Sequence, residues 1–261
     1  MRPAIQFVST RFLIAARVVL MLWVASAHAR QGEDLQPTPI DWTLTAGFDF
    51  SRGDYGLDED TTLYYVPLGV SMDFRRFRIR LVVPLLRSEG PTQVATISQR
   101  SDSNVIQGLG QIEASAGYLF DPLRVYLPYV ELTGKVTAPT ETNDDLGTGR
   151  WATAIQADFF QRFGRVTPFL SVGRKFYEGD ALRDRFYTSI GASLDVGPSA
   201  SVGLAYDWLE ATTSAARDAH EIVPYATFQL DERWSLGPYV VFGLSDGSPN
   251  HGFGISVSVR P

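Results

Sequence analysis

The sequence predicts an all-β chain closed as a transmembrane antiparallel up-and-down β-barrel of twelve strands, with short turns at one end and longer loops at the other. Three observations predict it. After the first 40 residues, apolar and polar side chains alternate with a period of two, as in strands whose successive side chains point to opposite faces. The alternating stretches run to roughly ten to thirteen residues, where a tilted membrane-spanning strand needs about nine to eleven and a globular strand about five or six. The connections alternate between tight turns and longer polar loops, which brings an even number of strands back to one side of a membrane.

Composition narrows the function classes. With 44% hydrophobic and 12% aromatic residues in 261, the chain is too apolar to be disordered. The absence of cysteine excludes a disulfide scaffold, a Cys-ligated zinc site and an iron–sulfur cluster. A net charge of −6 is the wrong sign for a phosphate-backbone binder, so no nucleic-acid partner is expected. Three histidines leave little room for metal or triad chemistry, and neither a cofactor nor a metal is expected.

Residues 1–29 read as a cleaved secretory signal peptide. Arg2, Arg11 and Arg17 make a basic start, Val18 to Ala25 an apolar centre, and Ala27-His28-Ala29 the cleavage pattern. The apolar run is too short to span a bilayer as a helix. Residues 30–40 are a short polar periplasmic lead-in, and 41–261 the barrel. No later apolar run has helix-spanning length, so the exported chain is either soluble or crosses a membrane with strands.

In chain order, the first strand puts Trp42, Leu44, Ala46, Phe48 and Phe50 on its apolar face. The second puts Tyr64, Val66, Leu68, Val70, Met72 and Phe74 there, and the third Phe77, Ile79, Leu81, Val83 and Leu85. Ile112, Ala114, Ala116, Tyr118 and Phe120 make the fourth; Tyr126, Pro128, Val130, Leu132 and Val136 the fifth; Trp151, Ile155, Ala157 and Phe159 the sixth. Val166, Pro168, Leu170 and Val172 follow, then Phe186, Ile190, Ala192 and Leu194, then Val202, Leu204, Tyr206 and Trp208. The last three carry Ile222, Pro224, Ala226 and Phe228; Trp234, Leu236, Val240 and Phe242; and Phe253, Ile255, Val257 and Val259. Aromatics near the strand ends form two girdles: Phe48, Trp151 and Trp208 at one rim, Phe74, Phe120, Phe159 and Trp234 at the other.

Short turns are expected near Arg75-Arg76, Asp121-Pro122, Phe163-Gly164, Gly197-Pro198 and Asp231-Glu232, on the periplasmic side. Extracellular loops are expected at about 52–61, 87–109, 139–148, 178–184, 211–219 and 245–251. The longest, 87–109, carries Gln93, Ser98, Gln99 and Asn104 and is expected to fold into the mouth and constrict it. A two-residue turn at Arg75-Arg76 sets Asp73 opposite Arg78, an attractive pair. It also sets Pro67 opposite Pro84, where the missing N–H groups should weaken or bulge the ladder. Pro128, Pro168, Pro224 and Pro238 each precede an aromatic residue, a pairing expected to mark strand entry, although Pro224 lies deeper.

The stretch from Gly108 to Phe120, the run Lys135-Val136-Thr137-Ala138-Pro139-Thr140, Leu146-Gly147-Thr148-Gly149 and Arg165 to Phe176 together resemble the outer-membrane transporter family known as "meta-pathway of phenol degradation". Glu141 stands where that pattern has a glycine, and the chain ends in Pro261 rather than an aromatic residue, the feature by which the barrel-assembly machinery reads a last strand. The resemblance implies a bacterial outer-membrane channel or transporter, with small hydrophobic or aromatic compounds as candidate solutes. It supplies no binding residues.

The polar faces bring Asp49, Asp73, Arg78, Arg80, Glu113, Glu131, Lys135, Asp158, Lys175, Arg185, Asp195 and Asp207 inward. Two readings stand. These charges line a pore and orient a small-molecule solute, or they pair across the barrel and fill it. Twelve strands lie between the eight that side chains just fill and the sixteen that leave an open channel. A lipid-modifying enzyme is the weaker class. His220 and His251 are the usable imidazoles, both at loop–strand junctions and neither with a positioned nucleophile. The loop carboxylates Asp54, Asp58, Glu59, Asp60, Glu141, Asp144 and Asp145 are either ordinary solvated loop charges or bridges through Ca²⁺ or Mg²⁺ to lipopolysaccharide. Outer-membrane lipid and lipopolysaccharide are the expected surroundings; the sequence leaves the oligomeric state open.

Overall fold

The computed structural model describes residues 40–55, 59–90, 105–122, 124, 126–214 and 216–261. The signal-peptide assignment, nearly all of the lead-in, and Gln93, Ser98, Gln99 and Asn104 of the longest loop lie outside the described residues. The rest is one antiparallel sheet of strand segments β1 (Asp41–Gly53), β2 (Thr61–Phe74), β3 (Phe77–Glu89), β4 (Val105–Leu109), β5 (Ile112–Phe120), β6 (Tyr129–Ala138), β7 (Ala152–Phe160), β8 (Val166–Tyr177), β9 (Arg185–Gly197), β10 (Ala200–Leu209), β11 (Ala219–Gln229), β12 (Trp234–Gly243) and β13 (His251–Val259). β1 pairs with both β2 and β13, so the sheet closes on itself. β4 and β5 both pair with β3 and are two pieces of one stave. The molecule is a closed twelve-stranded antiparallel barrel.

Its burial is inverted relative to a soluble domain, in which charged residues are almost never fully buried. Leu68, Leu81, Ile190, Leu204 and Ile255 are 40–54% exposed on the outer wall. Their alternates Asp49, Arg78, Glu131, Asp158, Arg185 and Glu221 are at most 5% exposed inside. Lipid satisfies the apolar wall, and closure gives each of the twelve staves a neighbour on both sides, apart from the short β4 segment, which pairs with β3 alone. Trp151 is exposed at the long-loop rim, and Phe74, Phe120 and Trp234 at the short-turn rim.

The short-turn rim is held by local chemistry. The Asp231 carboxylate accepts the N–H groups of Arg233 at 2.7 Å and Trp234 at 2.8 Å; these bonds hold its pKa below the ordinary aspartate value. Arg162 reaches Asp195 at 2.6 Å, and Arg76 pairs with Asp121.

The β2–β3 hairpin has the expected register: Asp73 faces Arg78 and Pro67 faces Pro84. The ladder defects fall on the far side of each proline, where its N–H would have donated. Pairing between β1 and β2 lapses between Ala46↔Leu68 and Asp49↔Tyr65, across from Pro67. Beyond Pro84 the register slips by one residue between Leu85↔Leu109 and Val82↔Glu113. The extra residue makes a β-bulge at Gly110-Gln111, closed by Gly110 N–H donating to the Pro84 carbonyl at 2.9 Å.

Three expectations are corrected. The loop placed at 87–109 is shorter, because Ser88 and Glu89 pair with Ile106 and Val105. The bulge reverses the facing there: even residues face inward in β4 and odd ones in β5, so strict alternation did not reveal the stem. The turn placed at Asp121-Pro122 extends to Pro128, because β6 begins only at Tyr129, one residue after a proline that cannot donate. The proline–aromatic pairs do not in general mark strand entry. Pro128 does, but Pro224 and Pro238 are mid-strand. Each of the four prolines instead precedes an aromatic on the lumenal face: Tyr129, Phe169, Tyr225 and Tyr239.

Candidate functional site

Strand register sorts the lumenal side chains into rows that cross the strands, neighbouring rows being two residues, about 7 Å, apart. A basic row runs Arg80, Ser115, Lys135, Ala154, Lys175, Arg185 from β3 to β9. Next to it lies a polar row of Arg78, Gly117, Thr133, Gln156, Gly173 and Tyr187. An acidic row follows: Glu131, Asp158, Ser171, Ser189, Asp207, Glu221. Every row starts near the short-turn end and reaches the long-loop end, so each winds round the lumen as it climbs. Opposite charges are thereby segregated into two parallel spirals rather than mixed at random.

Specific contacts hold these rows. Arg78 Nε donates to Asp73 at 2.7 Å. Gln156 Nε2 donates to both Asp158 oxygens at 2.8 Å, Ser171 Oγ donates to the same carboxylate, and Tyr187 OH donates to Gln156 Oε1 at 3.1 Å. The cations are covered by tyrosine faces: Lys135 Nζ lies 5.7 Å from the Tyr187 ring centre, and Lys175 Nζ and the Arg185 guanidinium lie 5.5 and 5.7 Å from that of Tyr177.

Below the acidic row is an apolar row. It contains Tyr129, Phe160, Phe169, Gly191, Ala205 and Val223, then Val241, Gly252, Ser51 and Leu63. Leu119, Phe160, Phe169, Ala205, Val223, Tyr239 and Val241 form one buried cluster, with Tyr129 and Tyr225 packed against it. The last row sets three tyrosines among short side chains: Tyr65, Asp49, Gly254, Tyr239, Tyr225, Gly203, Ser193. The glycines of this row, and Gly173 of the polar row, are cradles. A Cβ at Gly254, Gly203 or Gly173 would strike the ring of Tyr239, Tyr225 or Tyr187, its cross-strand partner. The rings therefore lie flat along the wall.

The mouth is capped by the loop after β6 rather than by any described part of the longest loop. Leu146 is 2% exposed and packs with Leu63, Tyr65, Leu86 and Ile106. The loop is pinned to the β4–β5 bulge. Thr142 Oγ1 accepts the Leu109 N–H at 3.0 Å, Thr140 Oγ1 accepts the Ile112 N–H at 2.9 Å, and Gln111 Nε2 donates to Thr148 at 3.0 Å. Glu141, where the resembled pattern has glycine, accepts the Gly149 N–H. Replacing Leu146 by alanine is expected to cost the docked loop about 2–5 kcal/mol. Limited proteolysis checks this, with cleavage within 139–149 accelerated while the strands stay protected.

All twelve charged positions named from the sequence face the lumen, but not as one group. Arg80, Lys135, Lys175 and Arg185 share the basic row and Glu131, Asp158 and Asp207 the acidic one. Asp73 pairs with Arg78, Asp195 is tied to Arg162 at the rim, and Asp49 belongs to the tyrosine row. Glu113 lies one row above the bases, opposite Val82. The sequence reasoning missed Glu221, fully buried at the top of the acidic row, although it stood on the polar parity. It also missed the inward aromatics, whose signal was an aromatic residue on the polar parity. The histidines are placed structurally. His220 Nδ1 bonds the Tyr206 hydroxyl at 2.6 Å on the outer wall, and the His220 backbone N–H donates to Ser248 Oγ at 2.9 Å.

Among solved structures, the COG4313 outer membrane channel from Pseudomonas putida F1 superposes with a TM-score of 0.67 at 15% identity, over 89% of this chain and 98% of that one. The fold is that of an outer-membrane barrel. The NanC porin (TM-score 0.54, 9% identity, 84% and 100% covered) and the KdgM porin (0.53, 9%, 83% and 98%) share it. No family model and no curated protein matches the sequence, so the phenol-degradation family resemblance gains no support from those comparisons.

Proposed function

We propose that the protein is an outer-membrane channel that facilitates passage of small solutes with an apolar or aromatic body. One observation carries the reading: the lumenal row is apolar without a break from Tyr129 on β6 to Val241 on β12. Gly252 and the polar Ser51 separate it from the Leu63–Leu146 cluster at the mouth; from Val241 this track passes Val223 and Ala205 and ends at Phe169, Phe160 and Tyr129 by the short turns. An inward apolar spiral has no role in meeting lipid, which the outer wall already does. In a channel it lets a solute shed water gradually along its route. The likeness in fold to channels and porins supports the reading without supplying a solute.

The near-zero exposure of Val223 and Ala205 favours a second reading, a barrel filled by its own side chains without transport. Proteoliposomes loaded with the mature chain separate the two. Phenyl glucoside is expected to enter faster than methyl glucoside, a neutral pair differing in the ring. Equal entry of both would remove the aromatic preference, and entry of neither, with no current steps in a planar bilayer, would establish the filled barrel.

A further inference from the structure

We propose that the lumen holds a binding site for amphipathic organic cations, with the ammonium group at Asp158, Asp207 and Ser189 and the apolar body over Phe160, Phe169 and Ala205. The proposal rests on the channel reading and names its substrate class.

The acidic and apolar rows are neighbours on the same strands. Asp158 is two residues from Phe160 on β7, Asp207 two from Ala205 on β10, and Ser189 two from Gly191 on β9, over which the Phe169 ring lies. The separation of about 7 Å along a strand is close to the span from nitrogen to ring in a phenylalkylammonium ion with a short linker. Acids alone would define no site. The Ser189 hydroxyl supplies an independent sign. It is 2% exposed, lies between Ser171 and Asp207 in the row, and has no hydrogen-bond partner among the described residues. Such a buried hydroxyl is costly unless something meets it. On the other flank of the track the Tyr239 hydroxyl is in the same condition.

The sign of the ligand follows from the order of the rows. A carboxylate on an apolar body seated on the track would meet the acids first. Arg78, one row away, is held by Asp73 at 2.7 Å; the basic row lies two rows further, about 13 Å along a strand, with its cations covered by Tyr187 and Tyr177. An ammonium meets carboxylates at once and gains charge-assisted hydrogen bonds, which are stronger than neutral ones.

The test uses the refolded mature chain in planar bilayers and in titration calorimetry, with phenethylammonium, phenylacetate and methylammonium as probes. Phenethylammonium is expected to block current and to bind about tenfold or more tightly than either other ion. Asp207→Asn is expected to weaken that binding about tenfold, and Ser189→Ala, which leaves the barrel's charges untouched, by a smaller factor. Current steps with equal or stronger block by phenylacetate would overturn the cation site and leave the channel standing. Equal binding of methylammonium would overturn the apolar half of the site. Absence of current with calorimetric binding of phenethylammonium intact would overturn the channel and keep the site.

Discussion

Leu204→Arg is expected to destabilise the folded barrel by about 2–4 kcal/mol, the cost of a cation on the lipid face near the midplane. The size of the effect separates two accounts of one exposed residue. Leu204 is 54% exposed in the middle of β10. On a soluble protein such a position takes arginine within about 0.5 kcal/mol, because water receives the charge. Here the neighbours are acyl chains, and the guanidinium must snorkel or draw water after it. Denaturant unfolding from phospholipid vesicles measures the difference. The same change at Trp234, at the short-turn rim, is expected to cost only about 0–1 kcal/mol in charge burial.

Phe169→Ala is expected to cost about 3–5 kcal/mol and to raise single-channel conductance. Phe169 is 7% exposed, packs in the buried cluster with Phe160 and Ala205, and lies over Gly191. Removing its ring leaves a cavity that glycine cannot fill, and large-to-alanine changes in packed sites cost that much. If water already lined this level of the lumen, the ring would be half-solvated and the cost would fall to about 1 kcal/mol. The stability and conductance changes must therefore move together. A large loss of stability with no change in current would mean that the track is packing alone.

Much of the fold was legible because a closed membrane barrel imposes one constraint everywhere: alternate side chains meet lipid and lumen. Asp73 opposite Arg78 and Pro67 opposite Pro84 followed from a two-residue turn and simple counting. What escaped was non-local or broke the period. The bulge at Gly110-Gln111 inverts the facing of Val105–Leu109; Gly110 is its one local sign, and its cause lies in a proline on the neighbouring strand. The rows escaped for a different reason. Inward charges other than Glu221 were named singly, but the segregation of Lys135 from Glu131, or the meeting of Phe160 with Phe169, depends on strand register. Register between strands joined by long loops is not written in either strand alone. The proline–aromatic pairs are plain in the sequence, but they do not in general mark strand entry. Their meaning appears only once Tyr129, Phe169, Tyr225 and Tyr239 are seen on one face.

The native chain has no cysteine, so single cysteines carrying a nitroxide label can be placed one at a time along β9 and β10 of the refolded barrel. Collision with dissolved oxygen, which concentrates in lipid, and with a water-soluble nickel chelate reports each position's surroundings. Oxygen access is expected to peak at Ile190, Leu194, Val202 and Leu204 and to fall at Ser189, Ser193, Gly203 and Ala205, with a strict period of two. Uniformly low access to both reagents at the first four positions would mean that they lie in a sealed protein interior, contradicting the barrel and every functional statement built on it.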